Sequence, residues 1–319
     1  MSAMPMTLLD AQGTTDSATW HDVEKRVADA TTFWLDLEAP DNASIDRLAD
    51  VFGFHRLAIE DTRTFNHRAK LTAYDDHAFI VAFAAVDDEL VEVHCYYRVN
   101  VVVTVRHLPC PPVDEWREQG FEHEFDQPGL FLLYRLLDAL ANSFPAVLDR
   151  IDDRLTELED AILESPEPAY VSELSTLKRQ IARLRRAVIP ARDTLGGGTS
   201  LAIEELPAMT DEARRYFRDL YDHMVHVAEQ VDTEREHAAS VMDVYLTTVN
   251  NRQNDVMKQL TAVSTIFLPL MFLTGFFGMN FPALVRAIGG WPAFAVYGIG
   301  LQLASVAAVL VILKRRGWY

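Results

Sequence analysis

The chain has 319 residues, enough for a large soluble domain with further elements attached, and its formal net charge at pH 7 is −18. Such an acidic chain repels phosphate, which argues against nucleic acid as a partner; it is compatible with attracting cations or simply with solubility. The two cysteines, Cys95 and Cys110, form no close pair, so they predict neither a disulfide framework nor a zinc–thiolate site and fit a reducing compartment.

Residues 1–127 have the pattern of an α/β domain. Apolar runs predict strands at 32–37, 77–86, 90–99 and 100–106, and apolar residues at helical spacing predict a helix at 41–52. The acidic link Asp87-Asp88-Glu89 fits a hairpin turn between two of these strands. The sequence Cys110-Pro111-Pro112 then interrupts the pattern.

Residues 128–206 are predicted to be a helical region. Apolar residues recur on one helix face from Leu130 to Ile162, and the prolines at 166 and 168 break the pattern. A second helix is predicted from Tyr170 to Val188. The glycines at 196–198 indicate a linker or turn rather than a phosphate loop, because no Lys-Ser/Thr pair follows them.

Neither proline nor glycine occurs in the 61 residues between Pro207 and Pro269. As one helix this segment would be roughly 90 Å long. An apolar stripe begins at Phe217 and resumes at Val241 after a charged stretch, Asp232 to His237. Because a soluble helix of this length needs partners, we expect a stem at 207–258 that continues directly into a membrane helix at 259–279, in a bundle of identical rods.

Two uncharged runs of 27 residues, Gln259–Val285 and Ala287–Leu313, flank Arg286. A helical crossing of a bilayer takes about 20 apolar residues, so each run predicts one transmembrane helix. The second helix is placed at 292–313, after an outer loop at 280–291.

The basic residues Lys314, Arg315 and Arg316 begin a short tail, 314–319, which the positive-inside rule places in the cytoplasm. A two-pass hairpin puts the N-terminal part on the same side, and residues 1–20 predict no signal peptide. The aromatic residues expected to anchor the hairpin at the membrane interfaces are Trp291, Trp318 and Tyr319.

The tripeptide Gly278-Met279-Asn280, followed by Phe281, ends the first predicted membrane helix. In this position it resembles the signature of the CorA family of divalent-cation transporters. Two segments resemble the family's pore helix, Asn254–Lys258 and Thr265–Leu270, and one resembles its stem helix, Tyr216–His223. A weaker similarity to its cytoplasmic domain lies in Trp34–Leu37 and Ile59–Asp61. The resemblance covers nearly the whole chain and is strongest from Tyr216 to Gly317.

The resemblance implies a funnel-shaped homopentamer: an α/β cytoplasmic domain, a long-helix stem and two C-terminal transmembrane helices in the inner (plasma) membrane, with both termini cytoplasmic. The first membrane helix of each subunit would line the pore. Five copies of Asn280, with Gly278 and Met279, would form a selectivity filter that hydrogen-bonds the water shell of Mg2+. The resemblance implies Mg2+ as both the transported and the regulatory ion, and no organic cofactor.

The family alignment also implies a row of pore-lining residues. They are Asn254, Met257, Leu260, Ser264, Leu268 and Met271. The apolar members Leu268, Leu260 and Met257 would form a constriction that can gate by dewetting, and Asn254 would form a polar ring near its inner end. Ordinary helix–helix packing is the alternative interpretation of the same row.

A regulatory metal site is implied by Asp219, which matches a family position that binds Mg2+ between neighbouring cytoplasmic domains. Its partners in the adjacent subunit are expected among Asp87, Asp88 and Glu89, and Asp243 matches a second acidic position facing the axis. Intracellular Mg2+ would bridge subunits and hold the pore shut. The alternative for Asp219 is a solvated helix charge.

The basic residues of the C-terminal tail and a pair of histidines on the stem each, as a group, allow two interpretations. Lys314, Arg315 and Arg316 resemble the family's basic collar around the inner mouth, or they serve topology alone. His223 and His226 lie three apart on a helix and could share a zinc ion, or they are an ordinary packed or exposed pair with no third ligand evident in the sequence.

Some residues depart from the family pattern. Pro282–Pro292 contains no acidic residue, where many members carry them, and Arg286 is basic. Phe277 replaces a common tyrosine, and Met271 makes the outer pore more apolar. The family has a proton-coupled zinc-transporting branch, and this loop matches neither branch cleanly.

Three functions therefore stay open. The first is gated influx of hydrated Mg2+, with Co2+ or Ni2+ as further cargoes. The second is proton-coupled zinc transport, and the third is a non-conducting, membrane-anchored cation sensor. An enzyme is not expected, because the sequence shows no nucleophile–base pair, phosphate loop or catalytic metal motif.

Overall fold

The computed structural model of the chain describes residues 6–118, 128–196, 203–280, 282–287 and 289–316. It divides the chain into two compact units. The first comprises Met1–Ala161 and Glu167–Met242, and the second comprises Ile162–Pro166 and Asp243–Tyr319.

The described strands are β1 (Met6–Asp10), β2 (Gly13–Thr15), β3 (Phe33–Glu38), β4 (Lys70–Ala73), β5 (Ala78–Val86), β6 (Glu89–Arg98) and β7 (Val101–Arg106). The helices of the first unit's sheet region are α1 (Trp20–Ala28), α2 (Asn42–Phe52), α3 (Arg56–Arg63), α4 (Pro111–Glu118) and α5 (Pro128–Ala141). The longer helices are α6 (Phe144–Glu164), α7 (Pro168–Gly196) and α8 (Asp211–Phe277). The C-terminal elements are α9 (Pro282–Ala287), α10 (Trp291–Ala293), a π-helical segment (Phe294–Gly300) and α11 (Leu301–Arg315).

The strands form one mixed sheet in the order β2-β1-β3-β7-β6-β5-β4. Only β3 and β7 pair in parallel among these neighbours, and the other pairs are antiparallel. Val86 of β5 pairs with Glu89 of β6, so Asp87 and Asp88 alone form the turn. Asp87 has a φ of 50°, a left-handed conformation that a short polar side chain tolerates in a tight hairpin. The predicted hairpin is confirmed, although Glu89 belongs to a strand.

Both faces of the sheet are covered. On one face, the odd-numbered residues of β3, from Phe33 to Leu37, pack in a cluster with residues of α2 and α3 such as Ile45, Leu48 and Ile59. On the other face α5 and α7 contact the sheet. Apolar side chains on both sides explain why the central strands read as nearly continuous apolar runs in the sequence.

A buried polar network lies on the α5 side of the sheet. Thr104 donates a hydrogen bond to Asp36 (2.5 Å) and accepts one from the indole of Trp34 (2.9 Å). The Arg106 guanidinium lies 3.0 Å from Asp36 and 2.7 Å from Asp114 of α4. Asp36 and Arg106 are both almost fully buried, so each charge needs compensation: Asp36 has Arg106 and, at 3.6 Å, Arg117, while Arg106 has Asp36 and Asp114.

The first part of the helical region is two helices where the sequence predicts one. The pattern from Leu130 to Ile162 predicts a single helix, and this is wrong, because α5 ends at Ala141 and α6 begins at Phe144. Ser143 donates to the Leu140 carbonyl (2.6 Å) and accepts the backbone N–H of Ala85 in β5 (2.8 Å), so a contact with the sheet replaces the helical continuation.

The second predicted helix, Tyr170 to Val188, is longer in the structure, since α7 contains Pro190 and continues to Gly196. A Cβ atom on Gly196 would lie 2.2 Å from the ring of Tyr221, so glycine is required there by close packing. Gly197, Gly198, Phe281, Trp318 and Tyr319 lie outside the described residues.

We expect Arg106→Met to destabilise the first unit by about 3–5 kcal/mol, because the buried Asp36 carboxylate loses its hydrogen-bonded counter-charge and keeps only the more distant Arg117, at 3.6 Å. The measurement is the thermal unfolding midpoint of the purified protein. Arg47→Met is the matched control, because Arg47 pairs with Glu24 at the surface, and such pairs contribute about 0–1 kcal/mol. Equal midpoints for the two variants would contradict this role of Arg106.

Candidate functional site

Three helical segments are long and apolar enough to cross a membrane: Pro128–Glu164, Asp211–Phe277 and Trp291–Arg315. The most apolar window of the first is 56% buried inside the protein, which is typical of a core helix. The corresponding windows of the other two are only 6% and 11% buried. Among the described residues, the second unit therefore holds most of the apolar surface that the chain itself does not cover.

The row predicted to line a pore is exposed along α8. Met257, Leu260, Leu268 and Met271 are 56%, 61%, 66% and 65% exposed, and Asn254 and Ser264 are exposed as well. Successive members are three or four positions apart, so they share one face of the helix. Among the described residues, no packing partner within the chain covers this row, which leaves lipid, neighbouring chains or a pore as its expected surroundings.

The apolar part of α8 satisfies its own polar groups. The hydroxyls of Thr261, Thr265 and Thr274 donate to carbonyls four residues earlier, at 2.7, 2.7 and 2.8 Å. Such bonding leaves few donors for the surroundings, as a lipid environment requires. Pro269 lies inside the helix and has no N–H, so the Thr265 carbonyl lacks its usual helical partner.

The signature tripeptide begins where α8 ends. The N–H of Gly278 donates to the Thr274 carbonyl (2.9 Å), and that of Met279 to the Phe276 carbonyl (3.4 Å). A Cβ atom on Gly278 would lie 2.9 Å from the Thr274 oxygen, so only glycine fits this close approach without displacing the backbone. Asn280 follows immediately and is exposed, with no hydrogen bond from its side chain to any residue that the structure describes. Its amide is free to bind a ligand.

A contact between α8 and α11 was missed by sequence reasoning. The side chain of Gln302 on α11 donates to the hydroxyl of Thr274 at 3.1 Å. Next to this contact, Phe277 lies beside Tyr297 of the π-helical segment, with ring centroids 5.9 Å apart. The sequence signal for this contact was the amide residue Gln302 inside the otherwise apolar run Ala287–Leu313. Hydrogen bonds of this kind between helices stabilise membrane proteins by about 0.6–2 kcal/mol.

The predicted regulatory residues are all exposed but are not joined within one chain. Asp219 lies on α8, beside Tyr134 of α5, where burial, then Asp138 and Asp219, raise the pKa of Tyr134 to about 12. Asp88 instead accepts a hydrogen bond from Gln180 of α7 (2.9 Å). No hydrogen bond or ion pair among the described residues links Asp219 to the turn of Asp87, Asp88 and Glu89, so the predicted meeting of these residues between subunits stays a prediction.

The remaining predicted residues have simple surroundings. Asp243 is exposed on α8, in the second unit. Lys314 and Arg315 end α11, and Arg316 follows as its C-cap, all three exposed. His223 lies 3.7 Å from Asp138, and His226 is exposed. Among the described residues, these two histidines belong to no cluster of three metal-ligating side chains.

A cluster of three metal-ligating side chains does occur at the charged stretch Asp232 to His237, which interrupts the apolar stripe of α8. Asp152 of α6 meets Glu234 and His237 of α8, with ligand atoms all within 4.8 Å of one another. Sequence reasoning could not find it, because Asp152 and His237 are 85 residues apart.

Comparisons with known proteins agree with this architecture. The family described as "CorA-like Mg2+ transporter protein" matches residues 29–315. The chain is 31% identical to the cobalt/magnesium transport protein CorA of Thermotoga maritima over 303 residues, which cover 91% of this chain and 84% of the relative. It is 26% identical to the zinc transport protein ZntB of Yersinia enterocolitica over 231 residues, covering 72% of this chain and 67% of the relative.

The fold is similar to that of a solved structure, the complete CorA magnesium transporter from Methanocaldococcus jannaschii, with a TM-score of 0.81. The sequence identity is 22%, and the match covers 100% of both chains. The α/β soluble domain, the long helix and the C-terminal helix predicted from the sequence are thereby confirmed as the fold.

We expect Gly278→Ala to disturb the end of α8, because the added Cβ atom would press on the Thr274 carbonyl and lengthen the hydrogen bond that Gly278 donates to it. The measurement is hydrogen exchange of the peptide that covers the end of α8, which should speed up. Gly275→Ala is the matched control, since a Cβ atom there meets nothing within 4 Å in the chain. Unchanged exchange in Gly278→Ala would contradict the close approach.

Proposed function

Because the chain belongs to the family of CorA-like Mg2+ transporters, we propose that it forms a homopentameric pore through which hydrated Mg2+ enters the cell under feedback control. The observation that carries the proposal is the exposed Asn280 amide at the end of a 67-residue helix whose last apolar stretch is uncovered by its own chain. Five such helices around an axis would cover one another and gather five amides at one mouth.

The filter is suited to an ion that keeps its water. Mg2+ gives up its water ligands reluctantly, so a ring of amide oxygens can hydrogen-bond the bound waters without a carboxylate cage. Gly278 supports this arrangement by letting the chain turn out of the helix directly before Met279 and Asn280. Selection then acts on the size and charge of the hydrated ion.

The gate in this proposal is the apolar part of the row on α8. Rings of Met257, Leu260 and Leu268 would exclude water when narrow and conduct when wide. Asn254 supplies a polar ring below them, and Ser264 and Met271 complete the lining. The exposure of these side chains on the single chain supports this assignment over packing inside one subunit.

The proposed membrane topology is based on the positions of the basic residues. The α/β unit, the stem and both termini lie in the cytoplasm, and the basic Lys314, Arg315 and Arg316 sit at the inner face of the plasma membrane as a collar. The outer loop, 280–291, is the part that faces outside. An inside-negative potential drives a divalent ion inward by about 4.6 kcal/mol at 100 mV.

Feedback is assigned to Asp219 and the acidic turn of the neighbouring subunit. Asp219, Asp87, Asp88 and Glu89 are all exposed and available to a partner. Intracellular Mg2+ bound between them holds subunits together and the pore shut. When the concentration falls, the carboxylates repel one another and the funnel loosens. Asp243 adds negative potential along the axis and concentrates cations there.

Proton-coupled zinc transport is the second candidate, supported by the similarity to a zinc transport protein. A non-conducting sensor is the third. Flux into liposomes separates them: Mg2+, Co2+, Ni2+ and Zn2+ are compared with and without a pH gradient. Zn2+ uptake that depends on the gradient and exceeds Mg2+ uptake would replace the first proposal by the second.

We expect Asn280→Ala to abolish Mg2+ uptake into liposomes, because the mouth of the pore loses the amides that hold the hydrated ion. A sensor would keep its cation response in this variant. Asn142→Ala removes an exposed amide from the α5–α6 turn and is the control for loss of an asparagine elsewhere. Uptake by Asn280→Ala at the parent rate would show that the ring is not the filter.

We expect Asp219→Ala to keep the pore conducting at internal Mg2+ concentrations that close the parent, because one ligand of the bridging site is lost. The measurement is flux as a function of Mg2+ inside the vesicle. Asp222→Ala is the matched control, an exposed carboxylate one turn further along α8. If both variants shut at the parent's Mg2+ concentration, Asp219 is a solvated charge and the sensor lies elsewhere.

A further inference from the structure

The first unit contains a compact group of ligands contributed by two helices. His237 Nδ1 on α8 lies 3.0 Å from an Asp152 oxygen on α6 and 3.8 Å from Glu234 Oε2. The ligand atoms of all three side chains lie within 4.8 Å of one another. Three donors at such separations can reach one cation with small side-chain movements, since metal–ligand bonds are about 2.0–2.2 Å long.

The Glu234 carboxylate is not explained by its protein surroundings. The residue is only 8% exposed, and its Oε2 has no hydrogen-bond partner among the described residues. Buried carboxylates are normally hydrogen-bonded, paired or metal-bound. The free oxygen faces the other two ligands of the cluster.

The cluster also lacks a compensating cation. Asp149 adds to the negative potential at Glu234. Glu159 lies 3.7 Å from His237 Nε2. In the part of the chain that the structure describes, no lysine or arginine forms an ion pair with Asp152, Glu159 or Glu234. A dication would supply the missing positive charge.

The histidine is oriented as metal-binding histidines are. Its Nδ1 points to Asp152 and Glu234, while its other nitrogen, Nε2, points to the carboxylate of Glu159. Histidines that bind a metal through one nitrogen commonly donate the other N–H to a carboxylate, which fixes the ring and raises its basicity. Glu159 is placed for that supporting role.

We propose that Asp152, Glu234 and His237 bind one transition-metal dication of the Zn2+ and Co2+ class in each subunit. One imidazole and two carboxylates, with water in the remaining position, form a ligand set that suits these ions. Mg2+ prefers oxygen ligands alone in near-octahedral geometry, so the site discriminates against the ion that the proposed pore carries.

The site differs in kind from the one assigned to Asp219. It lies within one subunit and joins α6 to α8, whereas Asp219 acts between subunits. A bound ion therefore cross-links the hairpin helix to the stem helix of the same chain. The inference does not depend on the transported ion and stands even if the chain conducts nothing.

The test is Zn2+ binding by the full-length protein in detergent, measured by equilibrium dialysis and metal analysis, with excess Mg2+ present to occupy the other sites. Parent protein should bind one Zn2+ per subunit more than Glu234→Gln or His237→Gln. The controls are Glu236→Gln and Asp153→Asn, which remove exposed carboxylates next to the cluster and should bind as the parent does. Co2+ in place of Zn2+ should give visible absorption bands that Glu234→Gln loses.

A stability measurement separates a metal site from a merely structural cluster. In EDTA, Glu234→Gln should unfold at the same temperature as the parent or higher, because it removes an uncompensated buried charge. Zn2+ should raise the unfolding temperature of the parent by a few degrees and leave that of Glu234→Gln unchanged.

Glu234→Gln carries the test even if His237→Gln fails to fold. The proposal is overturned if Glu234→Gln binds as much Zn2+ as the parent, or if its unfolding temperature rises equally with Zn2+. Displacement of the extra Zn2+ by Mg2+ overturns the assigned metal class.

Discussion

Backbone hydrogen bonding along the single long helix α8 is the constraint on which this molecule depends. A helix satisfies its own N–H and C=O groups, so a single chain segment can run from an aqueous environment into lipid without exposing an unpaired polar group. Packing of an apolar face supplies most of the stability of a helix in a protein. In α8 that face changes character along the sequence. Phe217, Leu220 and Val231 are buried within the first unit, whereas most of the large apolar residues from Val256 onward are exposed on the single chain.

The two units solve the problem of polar groups in opposite ways. In the first unit, a charged side chain is buried together with partners of opposite charge, as Arg106 is with Asp36 and Asp114. In the second unit, the part of α8 after Lys258 carries no charged side chain, and its threonine hydroxyls bond back to their own backbone. Glu234 follows neither solution, because it is buried without a partner for one oxygen. That exception is the reason to look for a ligand at this position rather than at the many exposed acidic residues of the chain.

Much of this architecture could be predicted from the sequence, for identifiable reasons. Strands β3, β5, β6 and β7 are buried on both faces, so their apolar runs are long and distinct. The edge strands β2 and β4 are short or half-buried throughout, and nothing in their pattern marks them as strands. Helix α4 begins where Pro111 and Pro112 were expected only to break the pattern, since proline is tolerated in the first turn of a helix. The division between α5 and α6 depends on the bond of Ser143 with β5, which no local pattern reveals.

The features of the candidate site also fall into two groups, those visible in the local sequence and those that only the fold creates. The Gly278-Met279-Asn280 tripeptide, the exposed row on α8 and the basic end of α11 are local features, so the amino-acid sequence is sufficient to locate them, whereas their roles as filter, pore lining and collar stay predictions. The Gln302–Thr274 bond and the Asp152–Glu234–His237 cluster arise from residues 28 and up to 85 positions apart, and only the fold brings them together.

The proline inside α8 has a mechanical consequence. Pro269 removes one hydrogen bond from a helix that is otherwise continuous, and its ring crowds the preceding turn. Bending stiffness is therefore lowest at that turn, which lies between Leu268 and Met271 on the row of exposed side chains. The part of α8 before Pro269 therefore transmits a force along the helix axis almost rigidly. The last two turns before Gly278 can tilt separately from the remainder of the helix.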